Sequence, residues 1–495
     1  MAEERGTQRS YRAPCPGCGA PVEFRSAQST HAVCAYCRST VVRQGETLAR
    51  IGRMAELFDD FSPLQLFAAG RIQARAFTLV GRLQYAYAGG RWTEWIAAFD
   101  DDAARTGVLS EDNGAFVFSL PYAPQRPLPA AESLRAGMTV AIDGRPYTVA
   151  SNEEATLVSA QGELPRLPVP GAPFRVVELR NDQGAVLSLE YDTQPPGAWL
   201  GRAVQLDALQ LTGLRDDAGK EEKGRSFNCP NCGAPVTLRL ADSKSATCSA
   251  CRSLIDLSQG IGGELRHAAQ REPVQPLIPL GTVGQLHAVH WQVVGFQHRV
   301  GVAPGDDEHF GWDEYLLYNR KRGFCFLVDA EDGWSLVKPA TGAPTLAANG
   351  RTATYLGKTY QQQYAYDAET TYVAGEFYWQ VQRGEETSNR DFASGAALLS
   401  MERGGNEVTW SEGHRIDSAA VAAGFGLDAK KDLFRRADAS PLSAAPALGC
   451  GTVILVIVVI LVLLIVLSTC TSSSGSGYRS AGGSYGGYSS GGSHK

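Results

Sequence analysis

The sequence predicts a mainly β chain in which one unit is used twice. Each copy is a four-cysteine zinc ribbon followed by a small antiparallel β-sheet or barrel module, and one transmembrane helix closes the chain. Three observations carry this expectation. A segment with four cysteines recurs about 200 residues later, short runs of alternating apolar and polar residues follow each copy, and a long apolar run stands near the carboxyl end.

The repeat is direct. CPGCGAPVEFRSAQSTHAVCAYCRST from Cys15 returns as CPNCGAPVTLRLADSKSATCSACRSL from Cys229, an offset of 229 − 15 = 214. The register persists from Phe77 in FTLVGR to Trp291 in WQVVGF, again 214 apart, and Leu187-Ser-Leu-Glu190 answers Leu399-Ser-Met-Glu402. Between them, Trp92-Thr-Glu94-Trp95 answers Trp312-Asp-Glu314-Tyr315, and Phe116-Val-Phe118 is matched to Phe324-Cys-Phe326, which sets Cys325 against Val117 as a small core residue. The expected organisation is therefore ribbon 1 at 11–45, β-rich module 1 at 62–215, a charged linker at 216–225, ribbon 2 at 226–258 and β-rich module 2 at 275–420. A linker at 437–447, an apolar span at 448–467 and a Gly/Ser/Tyr tail at 468–495 follow.

Both ribbons space their cysteines as CxxC, 15 residues, CxxC: Cys15, Cys18, Cys34 and Cys37, then Cys229, Cys232, Cys248 and Cys251. Two thiolates separated by two residues turn onto one ion, and Gly19 and Gly233 permit the positive φ such a knuckle uses. Four thiolates suit tetrahedral zinc with no position left for water, which makes the expected cofactor two structural Zn2+ per chain. A redox CxxC pair and an iron site of rubredoxin type are the alternatives. A redox pair needs no second CxxC at fixed distance, so the duplicated tetrad favours zinc.

After the ribbons, Leu48 to Leu57 is helix-capable in the first unit. Alternation then marks strands at Phe77-Thr-Leu-Val, Thr139-Val-Ala-Ile, Phe174-Arg-Val-Val and Phe377-Tyr-Trp-Gln-Val, with Gly89-Gly90 as a hairpin turn. The pattern WxE[WY] puts Trp92 and Glu94 on one strand face and Trp95 on the other, with Trp312, Glu314 and Tyr315 placed likewise. These six residues form either an aromatic groove with a carboxylate for a peptide or basic partner segment, or a core edge with the Glu paired to an Arg. Glu190 and Glu402 carry the same two readings. His287 and His290, three apart on one strand, would face opposite ways and make no second metal site.

The chain has 46 basic and 52 acidic side chains, a net charge of −6 and 44% hydrophobic residues. That balance excludes a disordered polyelectrolyte, a collagen-like fibre, a polytopic transporter and a generally basic nucleic-acid binder. The run Leu448 to Leu467 would span about 30 Å as a helix, the thickness of a bilayer's apolar core. Lys430, Lys431, Arg435 and Arg436 precede it, and only Arg479 follows closely, so the amino-terminal domains are expected in the cytoplasm with a short tail across the membrane. No phosphate loop, GxSxG elbow or HExxH occurs.

Taken together, CPxCG with its second CxxC, Gly70, FTLVGR, GGRWTEW and LSEDNG resemble the bacterial family called domain of unknown function 4178, here duplicated with zinc-ribbon knuckles. The second copy departs from the pattern: Phe296 stands where Arg82 follows the first VG, Tyr315 replaces Trp95, and Asp306, Asp307 and Glu308 enlarge a hairpin. The resemblance implies association with bacterial membrane-stress or envelope-maintenance systems. The expected protein is a non-enzymatic, tail-anchored scaffold of the bacterial inner membrane with the membrane and unidentified proteins as partners. Nucleic-acid binding by the ribbons is an alternative, against which stands their mild charge: four basic and one acidic residue in 11–45, four and two in 225–258. A hydrolase using Glu190 or Glu402 is the third reading. No small-molecule substrate is evident.

Overall fold

A computed structural model describes residues 11–436, apart from 25, 27–28, 45–46, 55–61, 88–89, 102–105, 113, 216–224, 241–242, 258–265, 269, 271–273, 306–308 and 405–406. The first unit contains eight barrel strands: β1 (Arg75–Tyr87), β2 (Gly90–Phe99), β3 (Thr106–Asp112), β4 (Ala115–Pro121), β5 (Arg145–Leu164), β6 (Pro173–Arg180), β7 (Ala185–Glu190) and β8 (Gly197–Ala203). Their counterparts are β9 (Val289–Val302), β10 (His309–Asn319), β11 (Gly323–Ala330), β12 (Gly333–Pro339), β13 (Lys358–Phe377), β14 (Glu386–Ser394), β15 (Ala397–Gly404) and β16 (Glu407–Ile416).

Each set closes on itself through antiparallel pairs. In unit 1 the circuit is β1-β2-β3-β4-β8-β7-β6-β5 and back to β1. Unit 2 repeats it from β9 to β13 and back. Two four-stranded meanders thus meet at two seams, and closure leaves no open edge in the barrel wall. Alternate residues of each strand point inward. Outward residues form second cores: Leu64, Ala68, Leu206 and Leu209 cover barrel 1, and Val421, Phe425 and Phe434 of the short terminal helices cover barrel 2.

The 20-residue strands β5 and β13 unite ribbon and barrel. β5 pairs β6 with its first half, β1 with its second, and the ribbon strand His31–Val33 with its last three residues. Where it leaves the barrel, a Cβ on Gly81 would lie 1.9 Å from the Glu163 carbonyl oxygen, and one on Gly162 would lie 2.3 Å from the Val80 oxygen. Gly162 also has φ +75. The same crossing recurs at Gly295 and Gly375, with contacts of 2.7 and 2.2 Å and φ +88 at the latter. Two backbones pass here at a distance that admits no side chain.

The next residue clamps the ribbon. Glu163 accepts the Ser26 N–H at 2.8 Å, and Glu376 accepts the N–H groups of Arg239 and Leu240 and the Ser243 hydroxyl, all at 2.9 Å. The three strands that follow the first hairpin in each unit extend the barrel sheet by pairing onto the end of β5 or β13.

Several expectations change. Residues 47–53 form a strand, Thr47–Arg53, paired to Ser39–Gln44, because its edge completes the ribbon sheet; the expected helix over 48–57 is absent there, and 55–57 lie outside the described residues. β13 ends at Phe377, and Tyr378, Trp379 and Val381 instead plug the barrel core beneath ribbon 2. The match of Phe116–Phe118 to Phe324–Phe326 is out of step. Trp95 pairs Leu109 and Tyr315 pairs Leu327, so β11 is the counterpart of β3, and Cys325 stands opposite Gly107 rather than Val117. Tyr87 pairs Gly90, so β1 and β2 are antiparallel neighbours at the expected hairpin; 88 and 89 lie outside the described residues.

The membrane placement is also corrected. Among the described residues no helix is long and apolar enough to cross a membrane; the α-helices Ser418–Gly424 and Lys431–Phe434 have seven and four residues. The expected span 448–467, with 437–447 and 468–495, lies outside the described residues. The transmembrane helix and the single-pass inner-membrane location are thus not supported by the β-rich structure.

Gly81→Ala must push a side chain against a backbone carbonyl. It is expected to cost about 3 kcal/mol and lower the urea midpoint, whereas Gly90→Ala, whose Cβ would meet Tyr87 at an ordinary 3.5 Å, should leave the midpoint nearly unchanged.

Candidate metal centres and buried carboxylate clusters

The eight predicted ligands come together as two groups of four. Within each tetrad, one sulfur per residue lies within 4.8 Å of all the others. Cys15 and Cys37 Sγ are 3.6 Å apart and Cys18 and Cys34 are 3.7 Å apart; Cys229–Cys251 and Cys232–Cys248 repeat those distances. A tetrahedron of sulfurs about 2.3 Å from a central ion has edges of about 3.8 Å. The donor set therefore fits a four-coordinate metal, and the sulfurs fill every position around it.

Local backbone chemistry makes the knuckles. The Gly19 N–H donates to the Cys15 carbonyl at 2.8 Å, with Gly19 at φ +76, and Gly233 repeats this at 2.9 Å and φ +74. The second knuckles turn without glycine: Arg38 and Arg252 adopt φ +57 and +62 and donate N–H to the carbonyls of Cys34 and Cys248. Ser39 and Ser253, absent from the ligand set read in the sequence, complete the site. Their hydroxyl oxygens lie 3.1 Å from Cys37 Sγ and 3.3 Å from Cys251 Sγ. Hydrogen bonding from the serine hydroxyl, then from its backbone N–H, holds the Cys37 thiol down at about 6 and that of Cys251 at about 5. The signal was present as CRS after both second knuckles.

The WxE residues divide between two faces, as the strand period requires. Trp92 donates its indole N–H to Glu94 at 3.1 Å, and Trp312 to Glu314 at 2.6 Å, so each Trp and the Glu two residues on share the barrel interior. Trp95 and Tyr315 face the outer core and are buried. Trp312 and Glu314 are buried as well, whereas Trp92 and Glu94 are half-buried.

Glu190 and Glu402 each meet an arginine. Arg166 reaches Glu190 and Asp192 from the loop after β5, whereas in unit 2 Arg299 of β9 donates to Glu402 at 3.0 Å and to the Thr387 hydroxyl at 2.5 Å, with Glu314 at 4.0 Å. Arg299 occupies the position of Tyr85, which instead stacks on Trp92 at 4.9 Å. The carboxylate is kept while its cation changes position. Outside the barrels the same happens: Glu111 of unit 1 faces Arg82, and its counterpart Asp329 is bound by Arg436, 2.6 Å away. His287 and His414 approach to 3.2 Å through Nε2, His287 lying in the turn before β9 and not on a strand.

These features define a class, a duplicated β-barrel protein with a zinc-ribbon-type tetrathiolate knuckle on each barrel. A family model described as Domain of unknown function (DUF4178) matches residues 68–206 and 279–418, together more than half of the 495 residues. The chain belongs to that family and carries its domain twice. The matched spans coincide with the two barrels and start after the ribbons. No curated protein and no solved structure matches the chain.

Two expectations follow. Cys34→Ser is predicted to lower the bound metal from two ions to one per chain, measured by elemental analysis, with the second tetrad still loaded. Burial raises the Glu402 carboxyl to about 7, partly opposed by Arg299. The folded state then holds a proton that the unfolded chain, near 4.5, has lost. Stability should fall as pH rises from about 4.5 to about 7 and level off above. Glu402→Gln should flatten that slope in urea titrations across the window.

Proposed function

We propose that the chain is a non-catalytic adaptor whose two ribbons, each held by one structural Zn2+, bind protein partners. The observation that carries this reading is the closure of the tetrads: four thiolates supply a complete tetrahedral shell, leaving no coordination position for water or substrate. Such a metal contributes folding energy rather than reactivity. A structural metal rather than a redox thiol pair is supported by the repetition of the full tetrad, since a redox CxxC needs no second CxxC at fixed distance.

The surface best suited to a partner is the second knuckle of ribbon 1. Tyr36 sits between Cys34 and Cys37 with 74% of its surface exposed, a large aromatic held at the tip of a metal-pinned turn. Its backbone is held in the knuckle turn, so contact would cost side-chain rotamer freedom but little backbone freedom. Ribbon 2 has Ala250 there, which assigns the main contact to ribbon 1. The buried Trp95, Trp312, Glu314 and Tyr315 serve the barrel instead.

The test is affinity capture on the full chain, comparing wild type with Tyr36→Ser. A specific partner should be recovered at least five-fold less by the variant while two zinc ions per chain are retained and no visible iron–thiolate absorption is present. A partner set unchanged by Tyr36→Ser, or a metal analysis showing iron, would remove this reading.

A further inference from the structure

The two barrels share a wall and differ inside. Strand pairing matches the inward positions one to one: Ser110 with Val328, Asp112 with Ala330, Ser119 with Val337, Glu153 with Tyr366 and Val186 with Leu398. In barrel 2, Val328, Val337, Tyr366 and Leu398 pack into one continuous core with Trp312 and Trp379. In barrel 1, the smaller or more polar residues at these positions line a cavity of about 410 Å3. The volume falls in the range of small-molecule sites, roughly 300 to 1,000 Å3.

The cavity is a feature of the assembled pair. Its mouth opens toward unit 2, where Phe324, Tyr355 and Tyr378 complete the wall. The rim is tied across the two units by backbone bonds, Leu356 N–H to the Asp182 carbonyl at 2.7 Å and Ala343 N–H to the Asn181 carbonyl at 3.0 Å. Beside it the β3–β4 turn meets the β10–β11 turn so closely that a Cβ on Gly114 would fall 2.1 Å from Gly323 Cα. Arg180 donates across the same junction to the Ala340 carbonyl at 3.2 Å.

Charge gives the ligand class. The cations at the wall are engaged: Arg180 with Glu178, Lys338 with Glu412 at 3.3 Å, and Arg322 with Asp207 at 2.5 Å. Arg202 borders the same cavity from β8, exposed to solvent at its edge. Glu153, by contrast, is half-buried on the inner face and has no hydrogen bond or ion pair within contact distance among the described residues; burial raises its carboxyl above the ordinary value, partly opposed by the charge of Arg175. Glu94 is oriented by the Trp92 indole N–H, and the Trp92 ring forms part of the same wall. Carboxylates beside aromatic faces attract an ammonium by charge and by the ring quadrupole.

We propose that barrel 1 is a binding site for a small organic cation with an apolar body, such as an arylalkylammonium, its ammonium held by Glu94 and Glu153 and its body against Trp92, Phe324 and Tyr378. Barrel 2 is the closed copy. This site is independent of the ribbon surface proposed above.

The probe is phenethylammonium, titrated calorimetrically into the full chain, with 3-phenylpropionate as the matched anion. Saturable one-to-one binding is expected, weakened at least ten-fold by Glu153→Gln, and abolished by the double change Ser110→Val and Glu153→Tyr, which introduces the residues of barrel 2. Ser119→Val alone, a milder filling, should weaken binding several-fold if the double variant fails to fold. Absence of phenethylammonium binding by wild type, equal binding of 3-phenylpropionate, or binding unaffected by Glu153→Gln or Ser119→Val in folded protein would each overturn the proposal.

Discussion

The structure depends on one crossing, repeated once. Where β5 and β13 leave their barrels, Gly81 over Gly162 and Gly295 over Gly375 let two backbones pass without side chains between them. That contact allows a single strand both to close the barrel against β1 or β9 and to continue into the ribbon sheet. The adjoining carboxylates, Glu163 and Glu376, then satisfy ribbon N–H groups that burial would otherwise leave unpaired. Ribbon and barrel are thus joined through one strand and one carboxylate clamp in each unit, which fixes the knuckle relative to the wall that carries it.

Duplication has kept geometry more strictly than chemistry. The tetrads, the glycine crossing, the clamp and the WxE hydrogen bond are present in both copies. The cations facing the buried carboxylates are not: Arg166 and Arg299 approach Glu190 and Glu402 from different strands and loops, as Arg82 and Arg436 approach Glu111 and Asp329. A buried carboxylate left alone is costly, but any guanidinium that reaches it relieves the cost. The requirement is therefore for a charge at a place, and not for a residue at a sequence position. Relaxed in that way, one barrel could fill its interior with Tyr366, Val328 and Leu398 while the other retained space around Glu153 and Ser110.

The ligands, the duplication, the knuckle glycines and the two-faced WxE strand were legible in the sequence, because each is set by local spacing: two residues between thiols, φ at one glycine, a strand period of two. The paired arginines of Glu190 and Glu402 were legible as a type of partner but not by name. Ser39 and Ser253 were visible only as a shared CRS, whose meaning needs the sulfur three ångströms away. Leu48 to Arg53 shows the opposite case, a helix-capable stretch that became a strand because a sheet edge was available to it.

The unit, its use twice and its two sets of four cysteine thiols follow from the sequence alone, because they are properties of residues near one another along the chain or of segments copied whole. Only the tertiary structure decided that each module is a closed eight-stranded barrel, that Trp312 and Glu314 lie inside one such wall, and that the same wall in unit 1 surrounds a cavity completed by unit 2. Barrel closure joins residues as many as 86 apart, as at Val117 opposite Ala203, and whether its interior is filled depends on the summed volumes of side chains from all eight strands. Neither quantity is written in any local pattern.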